Sequence, residues 1–146
     1  MNQPTKQIGF VGASGLMGHG LAKNILARGY RLAYTVRNRV PEGLDELGAT
    51  RVAGHAELGR GCDVVIICVT TASDVQEVVN GLLTEPREGL IILDASTSEP
   101  AMTYALAEQA AAKGVRFADI PLTRGPREAE AGQVNVLVGA DDELYT

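Results

Sequence analysis

The sequence predicts an α/β protein: one domain built on a doubly wound, mostly parallel sheet. Three observations carry this. Short apolar runs alternate with longer segments of helical period. Two of the runs, Val64-Val-Ile-Ile-Cys-Val69 and Leu90-Ile-Ile-Leu93, are apolar without alternation, as strands covered on both faces are. The first run opens directly into a glycine triplet that starts a helix. At 146 residues the chain suits a single hydrophobic core.

Each element has its own signal. Gln7–Val11 is a short apolar run and the first expected strand. The helix Leu16–Arg28 repeats Met17, Leu21 and Ile25, and beside them Gly18, Ala22 and Leu26, at helical spacing, and Gly29 stops it. Tyr30–Arg37 is a second strand and Thr50–Val52 a weaker one. Val64–Val69 follows, then a helix over Thr71–Leu83. Leu90–Asp94 leads to a helix over Pro100–Lys113, with proline in its first turn after Ser98 and Gly114 just past its end. Val115–Asp119 and Val134–Val138 complete the strands. There is no internal repeat and no low-complexity linker. Strand–helix–strand repetition with short links is the pattern of a doubly wound sheet.

Composition narrows the function. Glycine supplies 17 of the 146 residues, about 12% against a usual share near 7%. With Tyr 4, Phe 2 and Trp 0, the core must be aliphatic and alanine-based. Thirteen basic and eighteen acidic side chains give a net charge of -5. That balance disfavours nucleic acid, whose phosphate backbone needs a basic face. Cys62 and Cys68, if their run is extended, stand roughly 20 Å apart at about 3.3 Å per residue. A disulfide needs Cα atoms within about 7 Å, so both read as reduced thiols, one of them a small core residue. No stretch approaches the roughly 18 apolar residues of a membrane span. Residues 1–7 lack the basic-then-apolar layout of a signal peptide, so a cytoplasmic setting is expected. His55 has no partner at metal spacing, so no metal is expected, and His19 reads as a surface residue in the first turn of a helix.

The chemistry begins at Gly12-Ala13-Ser14-Gly15-Leu16-Met17-Gly18. Glycines there allow a tight turn and let backbone approach a pyrophosphate. The free N–H groups of the helix start, with its dipole, favour the phosphate charge. After the first strand of an α/β pattern, this points to a dinucleotide on a Rossmann fold. The spacing is G-x-x-G-x-x-G, one residue longer than the usual fingerprint. Gly15–Gly20 also has the glycine spacing of a Walker loop, but Leu21-Ala22 stand where Lys-Ser or Lys-Thr is needed. An NTPase is disfavoured. About twenty residues past the last glycine, NAD sites carry Asp or Glu for the ribose. Here the sequence reads Arg37-Asn38-Arg39, and the first acid is Glu42. Arginine can grip a 2′-phosphate with two N–H donors. NADP(H) is therefore expected over NAD(H), which stays possible; the plainer reading is a solvated basic turn.

These residues resemble a family. Gly15-Leu-Met-Gly-His-Gly-Leu-Ala-Lys-Asn24-Ile-Leu-Ala-Arg-Gly29 is similar to the signature of the β-hydroxyacid dehydrogenases. That group includes 3-hydroxyisobutyrate dehydrogenase, tartronate semialdehyde reductase and the cofactor domain of 6-phosphogluconate dehydrogenase. Asn38-Arg39 matches the turn of its NADP-using members, and Asp94-Ala-Ser96-Thr97-Ser-Glu-Pro100 is similar to its Asp-x-Ser-Thr segment. Asp119-Ile-Pro121-Leu-Thr123-Arg124-Gly125-Pro-x-x-Ala129-Glu-Ala-Gly132 is similar to its substrate loop.

The resemblance implies roles. Gly12, Ala13, Ser14, Gly15, Leu16 and Met17 would hold the pyrophosphate, and Asn38 with Arg39 the adenosine ribose end. Val69, Thr70 and Thr71 would lie along the nicotinamide ribose, with Thr97 also facing the cofactor. Ser96, Thr123, Arg124 and Gly125 would meet the substrate's carboxylate and hydroxyl end. The implied reaction passes a hydride between NADP(H) and a small 3-hydroxy acid or aldehyde acid, in a protein that is a homo-oligomer at full length. Plainer roles stand beside these. Thr70 and Thr71 can cap the following helix, Ser96 and Thr97 can be turn residues, and Asp94 and Asp119 can anchor loops rather than move protons.

Three features depart from the family pattern. The longer glycine loop resembles that of extended short-chain dehydrogenases, the rival enzyme reading. Those need Tyr-x-x-x-Lys, and Tyr30, Tyr34 and Tyr104 are followed four residues on by Tyr34, Asn38 and Glu108, with Tyr145 too near the end. Next, Thr123-Arg124-Gly125 replaces Ser-Gly-Gly. An arginine there suits a substrate with an extra or enlarged anionic group, unless it points into solvent. Finally, the family's general acid–base lysine lies in an all-helical second domain, and no lysine follows Lys113 here. Residues 1–146 are thus read as the NAD(P)-binding domain without that helical domain, with no catalytic residue of its own and inactive alone. A stand-alone NADP(H)-binding module without chemistry is the alternative from another class.

Overall fold

The computed structural model describes residues 6–37, 39–96, 99–122 and 126–132. Among them, six strands form one sheet: β1 (Gln7–Val11), β2 (Arg31–Tyr34), β3 (Thr50–Arg51), β4 (Val64–Ile67), β5 (Ile91–Asp94) and β6 (Arg116–Asp119). Their order is β3-β2-β1-β4-β5-β6, and every pairing is parallel. The helices are α1 (Gly18–Ala27), α2 (His55–Gly61), α3 (Ala72–Leu82), α4 (Pro100–Ala111) and α5 (Pro126–Glu130). This is the expected doubly wound, single-domain Rossmann fold.

Side chains alternate across each strand, so one sheet carries two cores. On one face Val11, Val65, Ile67 and Ile92 pack with Leu58 of α2, Val75, Val79 and Leu82 of α3, and Leu106 of α4. On the other, Phe10, Leu32 and Tyr34 pack with Ala22 of α1 and Leu44. Burial on both sides is why the strands read as unbroken apolar runs. Register then matters to the site: Val11 pairs with Ile67, Ile67 with Asp94, and Asp94 with Asp119. The carboxyl ends of four strands form one row.

Expected boundaries shift in instructive places. β2 stops at Tyr34, whose carbonyl accepts from Val52 N–H just past β3 at 2.9 Å, rather than running to Arg37. α1 starts at Gly18, not Leu16, since the preceding residues turn back so that Gly15 N–H donates to the Gly12 carbonyl at 3.0 Å. Helices α2 and α5 were not anticipated. The expected strand Val134–Val138 lies outside the described residues. Cys62 is buried and Cys68 half-buried, both free, and burial pushes each thiol up to about 11. No helix among the described residues is long and apolar enough to cross a membrane.

His19 is not simply a surface residue. Its Nδ1 lies 2.7 Å from Glu130 Oε1 and its Nε2 2.6 Å from the Glu42 carbonyl. Lys23 Nζ donates to the other Glu130 oxygen at 2.7 Å, and Asn24 Nδ2 donates to the Ala129 carbonyl at 2.8 Å. A Cβ on Gly20 would strike the Ala129–Glu130 backbone, so α5 seats directly on α1. Hydrogen bonding to Glu130, then to the Glu42 carbonyl, raises the His19 pKa.

Candidate functional site

Strand order reverses between β1 and β4, and the carboxyl ends at such a reversal flank a crevice. A cleft of about 560 Å³ lies there. Val11, Gly12, Ser14 and Gly15 line it from the β1–α1 crossing, and Val69, Thr70 and Asp74 from the β4–α3 crossing. Arg37 and Arg39 close its β2 side, with His55 at the start of α2.

The first crossing is shaped by close backbone approach. Gly12 sits at φ +99, and a Cβ there would run into the Cys68 carbonyl oxygen. A Cβ on Gly18 would run into the Gly12 carbonyl, which fixes how near the start of α1 comes to β1. No side chain caps α1, whose N-cap is Met17, and no acid lies in its first turn. Its terminal N–H groups and the positive end of its dipole therefore have no competing anion of the helix's own. Among the described residues beyond its chain neighbours, only the Gly12 carbonyl lies within 4 Å of where a Cβ on Gly15 would stand, so the approach to the loop is open there.

The second crossing is self-satisfied. Thr71 caps α3, its hydroxyl accepting from Asp74 N–H at 3.1 Å. Arg37 Nη1 lies 2.5 Å from Asp74 Oδ1 across the cleft. The Arg37 guanidinium, and secondarily the Thr71 hydroxyl, holds the Asp74 carboxyl below the usual carboxylate range. Arg39 reaches the other way, donating to the Ser14 carbonyl at 2.5 Å.

The cleft thus brings together Gly12, Ser14, Gly15, Arg39, Val69 and Thr70. Ala13 is buried in the core beneath the loop, Leu16 is exposed, and Met17 is the N-cap just before α1. Thr71 is the helix cap. Ser96 is buried, its Oγ accepting from Val69 N–H at 2.9 Å while its own N–H donates to Asp94 Oδ1 at 2.9 Å. Asp94 thereby anchors the loop after β5. Burial, then the Asp94 charge, raises the pKa of Asp119 beside it. Asn38, Thr97, Thr123, Arg124 and Gly125 lie outside the described residues. Asp74, Glu77 and His55 are cleft residues that sequence reasoning missed. Burial lowers the pKa of His55, and its Nδ1 has no hydrogen-bond partner among the described residues.

An uncapped helix start, an open glycine loop and two guanidiniums form a set that fits a dinucleotide's phosphates. Comparison with known proteins agrees. The family described as the NAD binding domain of 6-phosphogluconate dehydrogenase matches residues 7–146. An uncharacterized oxidoreductase of Bacillus subtilis, YkwC, is 33% identical over 144 residues, covering 96% of this chain and 50% of that protein. Mouse mitochondrial 3-hydroxyisobutyrate dehydrogenase is 30% identical over 142 residues, covering 94% of this chain and 42% of the enzyme. The Mycobacterium tuberculosis 3-hydroxyisobutyrate dehydrogenase solved with L-serine superimposes with a TM-score of 0.90 at 22% identity, over 97% of this chain and 50% of that one. The chain spans about half the length of the curated relatives it matches. The protein is a member of the 6-phosphogluconate dehydrogenase NAD-binding domain family, to which its β-hydroxyacid dehydrogenase relatives tie it.

Proposed function

We propose that this domain binds NADP(H) in preference to NAD(H) and serves hydride exchange with a small 3-hydroxy acid or aldehyde acid. One observation carries the cofactor preference: the β2 side of the cleft presents Arg37 and Arg39, where an NAD site carries an acid. Arg39 already reaches the phosphate loop through Ser14, so its guanidinium stands where the adenosine ribose and the pyrophosphate would converge. The backbone from Gly12 to Gly15 and the open start of α1 would hold the pyrophosphate. Ser96 fixes Val69 at the mouth of the second crossing, on the side the resemblance gives to the nicotinamide. Bound there, the nicotinamide supplies the hydride.

The substrate class comes from the relatives, which are dehydrogenases of hydroxy acids, and from the motif at Thr123, Arg124 and Gly125. An arginine in that motif suits an enlarged anionic group on the substrate. Reduction of a carbonyl leaves an alkoxide that must gain a proton. On this reading the acid–base lysine and the oligomer contacts belong to the kind of helical domain the family carries, and this domain alone binds without turning over. Free Cys62 and Cys68 suit a reducing compartment such as the cytoplasm.

The test is titration of the chain with NADPH and NADH, read by fluorescence of the bound nicotinamide. NADPH is expected to bind tighter, and Arg39→Ala to weaken NADPH about tenfold while sparing NADH, the loss of a charge-assisted phosphate contact. Tighter NADH binding by the unmodified chain sinks the assignment.

A further inference from the structure

The two arginines of the cleft are not equivalent. Arg39 donates to a neutral carbonyl, that of Ser14. Arg37 is paired with an anion delivered from the opposite wall, the Asp74 carboxylate on the first turn of α3. The acid is the fixed partner: its side chain is 17% exposed, against 67% for Arg37, and the Thr71 hydroxyl also holds it. Glu77, one turn further along α3, faces the same guanidinium and the His55 ring. Two carboxylates of α3 thus act on Arg37, while Arg39 is bonded to a neutral carbonyl.

We propose that Asp74 is a cofactor-specificity residue that acts by occupying Arg37, leaving Arg39 to meet a 2′-phosphate and holding down the preference for the phosphorylated cofactor. This rests on the NADP(H) reading of Arg39. A 2′-phosphate drawn to Arg37 must compete with a carboxylate already bonded to it, and then stands near two like charges, which repel it. A ribose 2′-hydroxyl meets no such repulsion and can donate to a carboxylate. The acid that NAD sites carry at the end of the second strand thus has a counterpart here, supplied by α3.

The experiment measures dissociation constants for NADPH and NADH with the unmodified chain, Asp74→Asn, Arg37→Gln and the double variant, with a thermal melt of each. Asp74→Asn keeps the side-chain shape and removes the charge. It is expected to tighten NADPH about five- to tenfold, as a guanidinium freed for a phosphate does, without tightening NADH. In the Arg37→Gln background the same change is expected to alter NADPH less than twofold. The inference is overturned if Asp74→Asn leaves NADPH affinity unchanged, or weakens both cofactors together with the melting temperature. It is equally overturned if the gain survives without Arg37. Failure of the NADP(H) reading shows separately, in the unmodified chain, as tighter binding of NADH; an unmodified chain that prefers NADPH with an inert Asp74 loses only the inference.

Discussion

The β1–α1 and β4–α3 crossings face each other across one cleft and solve the same problem in opposite ways. Each must end a buried strand and start a helix whose first N–H groups have no partner within the helix. At α3 the chain answers from within: Thr71 caps the helix and Asp74 sets a carboxylate in its first turn, favourably placed against the dipole. At α1 neither device is present. The space they would fill is taken by glycines, with Gly12 pressed against the Cys68 carbonyl. A helix start that supplies its own cap and charge is finished. One that supplies neither leaves the positive end of its dipole for an anion from outside, the role proposed for the pyrophosphate.

The sharpest way to break this comparison is at Gly12. An alanine there pays for a left-handed φ of +99 and for a Cβ driven into a backbone carbonyl that cannot swing away. The N–H of that same peptide, Val69 N–H, is bonded to Ser96 Oγ at 2.9 Å, so the obstructing peptide is tied to the loop after β5. Gly12→Ala is expected to lower stability by about 3–5 kcal/mol in chemical denaturation and to abolish cofactor binding. Gly29→Ala is the control, with φ +89 and nothing among the described residues within 4 Å of a Cβ. It should cost only the left-handed strain, about 1–2 kcal/mol. Equal losses would show that conformation alone, not close approach, demands glycine at position 12.

What could be read in advance follows from how far each signal travels along the chain. The strands and α1, α3 and α4 announce themselves within a dozen residues, because buried parallel strands need unbroken apolar runs and helices need period and stops. Helix α2 does not. It is seven residues long with glycines at 59 and 61, a poor helix by propensity. Tertiary packing requires Gly59, since a Cβ there would run into the Leu82 carbonyl of α3. Without α2, the sequence offers His55 only for a metal, and its place on the cleft wall has no local signal. The Arg37–Asp74 pair joins residues 37 apart in sequence, and no local pattern encodes it. His19 reads as surface for the same reason: its partners, Glu42 and Glu130, lie 23 and 111 residues away.

A smaller effect tests what supports the second crossing from beneath. Ser96 Oγ is the acceptor for Val69 N–H, where the chain has left β4 and can no longer use the sheet ladder. Ser96→Ala leaves that donor without its partner and is expected to cost about 1–3 kcal/mol. Hydrogen exchange should speed at Val69 more than within β4. If exchange there is unchanged, the hydroxyl is not what holds this turn, and a direct part in substrate binding becomes its stronger role.

The smallest expected effect bears on the contrast between the two helix starts. Thr71→Ala removes the α3 cap and should cost about 1 kcal/mol, while Thr71→Ser restores it. The family resemblance also gives Thr71 a place along the cofactor, and one measurement separates the roles. If Thr71 only caps, its loss lowers the unfolding free energy and leaves NADPH affinity within about twofold, because a helix held by Val75, Val79 and Leu82 in the core frays at its end without leaving the sheet. A larger loss of affinity at unchanged stability would make the hydroxyl a ligand-binding group. In that case the second crossing, like the first, keeps part of its hydrogen-bonding capacity for the cofactor, and the difference between the two becomes one of degree.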